Sequence, residues 1–250
     1  MARLLQRFIE QPHPCLYLPE ETASLEYKVL LNVEPEELEE MLERGWRRFG
    51  PAYFRPACSS CGECVSLRLP VATFQPSRSQ RRAGQKCARL RCEVGPVRVD
   101  SERLALYAAW HANREQTRSW EAAPIDLEEY ATHFGFPHPC AREVAYYDEE
   151  SRDARGSRLV AVGLCDETPR AWSAIYFFYD PAYARCSPGS FHLLNLTRMA
   201  SRQGKAHVYL GYRVSDCVSM RYKATFRPHE LLVQRPAADA EELWVRGDPA

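Results

Sequence analysis

Three groups of residues in this chain have the types and spacing that chemistry asks for. The first is Cys58-Ser59-Ser60-Cys61-Gly62-Glu63-Cys64, three thiols with two residues between each in a glycine-containing turn. Thiolates at that spacing can converge on one soft ion at about 2.3 Å, and a fourth donor completes a tetrahedron. Cys15, in Pro14-Cys15-Leu16-Tyr17, is the expected fourth ligand. Zinc and an iron–sulfur cluster ask for the same donors. Reduced cysteines in a turn are the competing reading. The second group is the stretch Tyr209–Leu232. Tyr209-Leu210-Gly211-Tyr212 reads as a strand that stops at a glycine, and Met220, Tyr222 and Lys223 follow in a short helical patch. The chain has four lysines against 29 arginines. A lysine kept inside an aromatic patch after a strand end is a site candidate, and such a strand end often floors a pocket. The third group is Ser77-Arg78-Ser79-Gln80-Arg81-Arg82. Its arginines offer paired donors to phosphate, with hydroxyl and amide groups beside them. A solvated helix face would look similar. Asp180, after Phe178-Tyr179, is the best-placed acid, against a simple role as turn former before Pro181. His192 reads as a packing or capping residue.

A chain of 250 residues fits one large domain or two small ones. A hydrophobic share of 45% supplies a core without a metal or disulfide staple. No apolar run approaches the roughly 20 residues of a membrane span, and the N-terminus lacks a signal-peptide pattern. Both point to the cytoplasm, where ten cysteines are either ligands or small buried hydrophobes. Zero formal net charge gives no global attraction to nucleic acid, but the acid-free basic run over 75–92 is a local anion patch.

The positioning elements follow from periodicity. Residues 1–24 read as extended or looped. Strands are expected at 25–31, 46–54, 65–71 and 92–99, and helices from Pro35, from a Ser101 cap, and over 127–133. The second half reads strand 143–147, strand 158–165, strand 171–179, helix 190–203, strand 206–210, short helix, strand 231–233, with a polar hairpin loop over 148–157. Antiparallel strands, a helix and then a splayed strand suggest an α/β (α+β) fold. The expected architecture is a Gcn5-related N-acyltransferase-like mixed sheet flanked by helices, with an N-terminal cysteine-knuckle subdomain. The expected divisions are 1–100, an acyltransferase-like 101–236, and a loosely held tail over 237–250.

Several separated pieces, in order from about Pro14 to Leu232, resemble the bacterial aspartate/glutamate leucyltransferases, relatives of the arginyl-tRNA–protein transferases. They are Pro14-Cys15-Leu16-Tyr17-Leu18-Pro19, Gly45-Trp46-Arg47-Arg48-Phe49-Gly50, Tyr53-Phe54-Arg55-Pro56-Ala57-Cys58, the 74–82 run, Phe178-Tyr179-Asp180-Pro181, and Met220-Arg221-Tyr222-Lys223-Ala224-Thr225-Phe226-Arg227-Pro228. Departures fall at Gln85-Lys86-Cys87, Arg213 and Ser219, places that bear on tRNA contacts and substrate choice. The resemblance implies transfer of leucine from leucyl-tRNA to proteins with an N-terminal Asp or Glu, creating an N-degron. The activated ester asks for no cofactor in the transfer itself, and the cysteine spacing leaves zinc, an iron–sulfur cluster or neither open for the knuckle. Tyr209, Gly211, Tyr212, Met220, Tyr222, Arg78, Arg81 and Arg82 are then expected to bind aminoacyl-tRNA, with Lys223 and Asp180 as catalytic candidates. Arginyl-tRNA as donor, an acetyl-CoA-dependent N-acetyltransferase and a cluster-bearing RNA-binding protein are the alternatives. The Ser187-Pro188-Gly189 helix start fits a CoA pyrophosphate loop poorly.

Overall fold

A computed structural model describes residues 1–118, 122, 124–153, 156–234, 236 and 240–247. A four-stranded sheet of β1 (Arg3–Ile9), β4 (Leu25–Leu31), β5 (Arg47–Phe49) and β6 (Ala52–Pro56) runs in the order β1-β4-β6-β5. A small hairpin, β2 (His13–Pro14) with β3 (Thr22–Ala23), leads into it. The helix α1 (Pro35–Glu43) lies between β4 and β5 in the chain. Pro35 starts it without losing a needed N–H, and Glu34 and Glu37 satisfy each other's exposed backbone donors. Leu30, Val33, Leu38, Leu42, Trp46 and Tyr53 form the core under this sheet.

The large sheet contains β7 (Val65–Pro70), β8 (Leu90–Gly95), β9 (Ala141–Asp153), β10 (Gly156–Glu167), β11 (Ala171–Tyr179), β12 (His207–Arg213), β13 (Glu230–Leu232) and β14 (Trp244–Arg246). Its order is β14-β13-β7-β12-β11-β10-β9-β8. Every neighbouring pair is antiparallel except β11 and β12, which run parallel over Ala171–Ser173 and His207–Tyr209 only. Beyond Ser173 and Tyr209 the two strands diverge. The helices are α2 (Arg78–Lys86), α3 (Ser101–Arg118), α4 (Leu127–His133) and α5 (Pro188–Arg202). This is the mixed, helix-flanked sheet with one splayed parallel pair that the sequence led us to expect. No helix among the described residues is long and apolar enough to cross a membrane.

Several expectations are corrected. Residues 3–9 are a strand, although every one is exposed, because β4 offers a free edge. The expected boundary at residue 100 is crossed by hydrogen bonds: β7 sits between β12 and β13, and β8 pairs with β9. Asp100, not Ser101, bonds the first turn of α3, through the Arg103 N–H. The expected loop over 148–157 is mostly strand, with residues 154–155 outside the described set. Of the expected loose tail, 237–239 and 248–250 lie outside the described residues, while β14 adds to β13. Trp244 anchors β14, since its indole donates to the Glu43 carbonyl and the Arg68 guanidinium lies 4.2 Å over its ring. Trp120 is also outside the described residues.

His192 is a core residue. It stacks on Phe177, bonds the Tyr146 hydroxyl at 2.9 Å, and is held neutral by burial, which pushes its pKa down to about 3. Its ring lies against the Cα of Gly163, where an added Cβ would come within 2.1 Å. Gly163→Ala is therefore expected to cost about 1–3 kcal/mol by overpacking. A lowered urea midpoint with an unchanged slope is the expected reading.

Candidate functional site

The divergence of β11 and β12 opens a wedge in the sheet, and two cations occupy it. Arg47 enters from β5. Its guanidinium donates to the Ser173 hydroxyl at 2.8 Å and to the Ala174 carbonyl, at the point where β11 leaves β12. Lys223 enters from a short 3₁₀ helix over Arg221–Thr225. Its ammonium donates to the Tyr212 carbonyl at 2.7 Å and lies 3.7 Å from the Met220 sulfur. The two heads meet over Gly211. The place a Cβ would take on that residue is 3.6 Å from Arg47 Nε and Nη2 and 3.6 Å from Lys223 Nζ. Gly211 has φ +81°, a conformation that glycine adopts without strain.

Both side chains are 9% exposed. Burial, and then the neighbouring Arg47 charge, pull Lys223 from 10.5 to about 7, so it is half neutral near neutral pH. Burial also lowers Arg47, but a guanidinium stays charged. Cys64 and Cys217 act on the Lys223 charge in the opposite sense.

The other expected site residues divide. Gly211, Met220 and Lys223 are brought together, and Tyr212 joins them through its carbonyl. Its hydroxyl is turned away, donating to the Gly45 carbonyl at 2.8 Å. Tyr222 is 44% exposed beside them. Tyr209 is not part of the wedge: it is buried in the core of the smaller sheet, against Trp244 and Arg68. The register of β12 against β7 shifts between Tyr209 and Gly211, so the two do not share a face as simple alternation would require. Arg78, Arg81 and Arg82 are exposed on α2, whose Ser77–Gln80 capping box fixes its start. Gln80 also donates to the Thr225 carbonyl at 3.1 Å, which ties the basic helix to the turn carrying Lys223. Asp180 is not brought to Lys223. It accepts from the Ala182 N–H at 2.9 Å, capping the turn after β11, and pairs with Arg158. Arg47 was not among the expected site residues, although it lies in the 45–50 motif.

The knuckle cysteines border the same region. Cys61 and Cys64 line a cavity of about 240 Å³ with Tyr212, Leu232, Arg44 and Arg55. Cys15 accepts from the Tyr17 N–H at 3.4 Å, and Cys58 donates to the Ser24 carbonyl at 3.6 Å. Burial, with Cys64, Cys217 and Cys15 nearby, pushes the Tyr17 phenol up to about 12. Among the described residues, no three His, Cys, Asp or Glu side chains are gathered closely enough to share an ion.

With this geometry in place, comparison with known proteins decides the family. The family model "Arginine-tRNA-protein transferase, C terminus" matches residues 102–233, and the one for the N terminus matches residues 13–82. The chain belongs to this family. An aspartate/glutamate leucyltransferase of Campylobacter jejuni is 35% identical over 235 residues, 93% of this chain and 95% of that protein. One of Halorhodospira halophila is 39% identical over 221 residues, 88% and 90% of the two chains. Among solved structures, FemX aligns with a TM-score of 0.46 at 8% identity, covering 76% of this chain and 63% of that one. The aminoacyl-tRNA–protein transferase family requires a place for an aminoacyl end, a place for an acceptor amine, and a surface for RNA.

Proposed function

We propose that this transferase moves leucine from leucyl-tRNA to the N-terminal amine of proteins that begin with Asp or Glu, in the cytoplasm, and that the leucine marks them for degradation. The observation that carries the reading is the wedge: two buried cations over Gly211, joined by Gln80 to an arginine-rich helix. The likeness to aspartate/glutamate leucyltransferases over most of the chain supports the choice of donor and acceptor.

The reaction makes modest demands. A carbon–nitrogen bond forms between the acceptor amine and the leucyl carbonyl, the ester carbon–oxygen bond breaks, and an amine proton ends on the ribose hydroxyl. The ester is already activated, so no cofactor is needed for this step. A terminal amine has a pKa of about 7.7–8.0, and its neutral fraction near neutral pH suffices for attack. The remaining task is placement of amine and carbonyl in contact. On this reading the aminoacyl end lies along Gly211, Met220 and Tyr222. Arg78, Arg81 and Arg82 meet tRNA phosphates on the adjoining face.

Incubation with charged tRNA and a peptide starting with Asp tests the reading. Leucine incorporation from leucyl-tRNA is expected. Incorporation only from arginyl-tRNA would replace the donor, and acetyl transfer from acetyl-CoA would replace the reaction. Replacing Arg78, Arg81 and Arg82 with alanine is expected to raise KM for leucyl-tRNA at fixed salt. It should also flatten the salt dependence by about one unit of log–log slope per lost phosphate contact.

A further inference from the structure

Three arginines are buried among the described residues. Arg48 grips Asp166 and Arg103 grips Glu143. Arg47 has no carboxylate, only the Ser173 hydroxyl and the Ala174 carbonyl. The acid that acts on its charge from a distance, Asp166, is engaged by Arg48. The buried ammonium beside it, Lys223, likewise has a carbonyl and a sulfur as partners and no acid. Two desolvated cations facing one another without an anion are unfavourable in the free protein, and such arrangements persist where a ligand supplies the missing charge.

The orientation says what kind of anion. The edge of Arg47 that faces Gly211 is the Nε–Nη2 edge, while Nη1 is turned to Ser173 and one Nη2 hydrogen to the Ala174 carbonyl. That edge presents two parallel N–H donors, the pattern that matches the two oxygens of a carboxylate. Lys223 faces the same point and has ammonium donors beyond the one used on Tyr212. Tyr212, whose carbonyl holds Lys223, and Cys64, close enough to act on the lysine charge, both line the 240 Å³ cavity. The cations themselves are not among the residues that line that cavity, and the exposed arginines of α2 are placed for the larger polyanion.

We propose that Arg47 and Lys223 form a two-cation site for the side-chain carboxylate of the acceptor's first residue, the element that selects Asp and Glu. This rests on the transfer reaction proposed above. It assigns the pair to acceptor recognition, with Gly211 leaving the space between the cations open.

The test measures kcat/KM for otherwise identical peptides beginning with Asp, Glu, Asn and Gln, using the parent protein, Lys223→Gln and Arg47→Gln. In the parent, Asp is expected to exceed Asn by at least 100-fold. In Lys223→Gln that ratio is expected to fall at least tenfold, with KM for leucyl-tRNA unchanged. A drop in kcat that is equal for Asp and Asn peptides would overturn the proposal in favour of an oxyanion role. A selective rise in KM for leucyl-tRNA would overturn it in favour of a tRNA phosphate. Calorimetric binding of the Asp and Asn peptides to the protein without tRNA separates this from the choice of donor. Tighter binding of the Asp peptide, lost in Lys223→Gln, supports the site even if the parent takes another aminoacyl-tRNA. Equal binding of both peptides, or of neither, overturns it. Lys223→Gln carries the test should Arg47→Gln fail to fold, since Lys223 is held at the edge of the wedge by one hydrogen bond to a carbonyl.

Discussion

Lys223→Ala is expected to lower kcat/KM for leucyl transfer to an Asp peptide by about 10²–10³-fold, with the fold retained. Truncating one member of a buried, hydrogen-bonded charge contact costs about 2–5 kcal/mol, and each 1.4 kcal/mol is about tenfold. The same lysine should leave a mark on stability. In the folded protein its pKa is about 7, against 10.5 for the free side chain. Between those values the unfolded chain carries the extra proton, so stability rises with pH across that window. Below about pH 7 the lysine is charged in both states, and the folded protein bears the full cost of burying it. Lys223→Met removes that term. The variant is expected to be more stable than its parent below pH 7, by a few kcal/mol at most. Its advantage should shrink steadily from pH 7 to 10.5. Urea midpoints for the two proteins across pH 6–10 give the comparison. The groups facing this lysine are Arg47, Cys64 and Cys217. The parent-minus-variant difference, rather than either curve alone, is the quantity to follow. A difference that does not change with pH would place Lys223 in water.

The sequence made most of the large sheet legible, for a simple reason. Segments such as β7, β10 and β11 carry their burial in their own apolar content, and α1 carries a proline start and first-turn acids that can be read residue by residue. β1 could not be read this way. All seven of its residues are exposed, so no alternation marks it, and its strand state is imposed by pairing with β4. The pairing of β7 was not legible for a related reason. β7 pairs with β12 and β13, more than 130 residues downstream, and local sequence holds no record of that partner.

The site divided along the same line. Lys223 stood out because lysine is scarce here and because a glycine-terminated strand precedes it. Arg47 did not, because its burial depends on where β11 parts from β12, over 120 residues away. Consecutive arginines in a short strand are nonetheless a signal that was available. With side chains alternating, Arg47 and Arg48 must point to opposite faces, and both faces of β5 are covered. The packing of Tyr209 against Trp244 and Arg68 was not legible, because one bulge separates its face from that of Gly211.

The second large effect concerns what holds Arg47 in place. Arg48 leaves the opposite side of β5 and binds Asp166 on β10 through Nε, at 3.1 and 3.0 Å to the two carboxylate oxygens, and through Nη2. Its Nη1 reaches the Gly50 carbonyl at 3.2 Å. Both side chains of the pair are nearly inaccessible, so the ion pair joins the two sheets out of contact with water. Asp166→Asn leaves the arginine charge buried with an amide in place of its carboxylate, and is expected to cost about 3–5 kcal/mol of unfolding free energy. Replacing both partners, as Arg48→Met with Asp166→Leu, removes the charge along with its counter-charge and should recover most of that loss. By contrast, Glu149→Gln breaks the exposed pair with Arg91 and should cause no measurable change. The recovered double variant then answers a question that stability alone does not. Arg47 would sit on a strand still packed by apolar contacts but no longer tied to β10 by its neighbour. If the Arg48–Asp166 bridge sets the position of Arg47, the double variant will unfold near the parent's urea midpoint while retaining less of the parent's preference for Asp over Asn. If the preference is intact, the wedge contacts with Ser173 and Ala174 are sufficient to hold the guanidinium, and the bridge serves stability only.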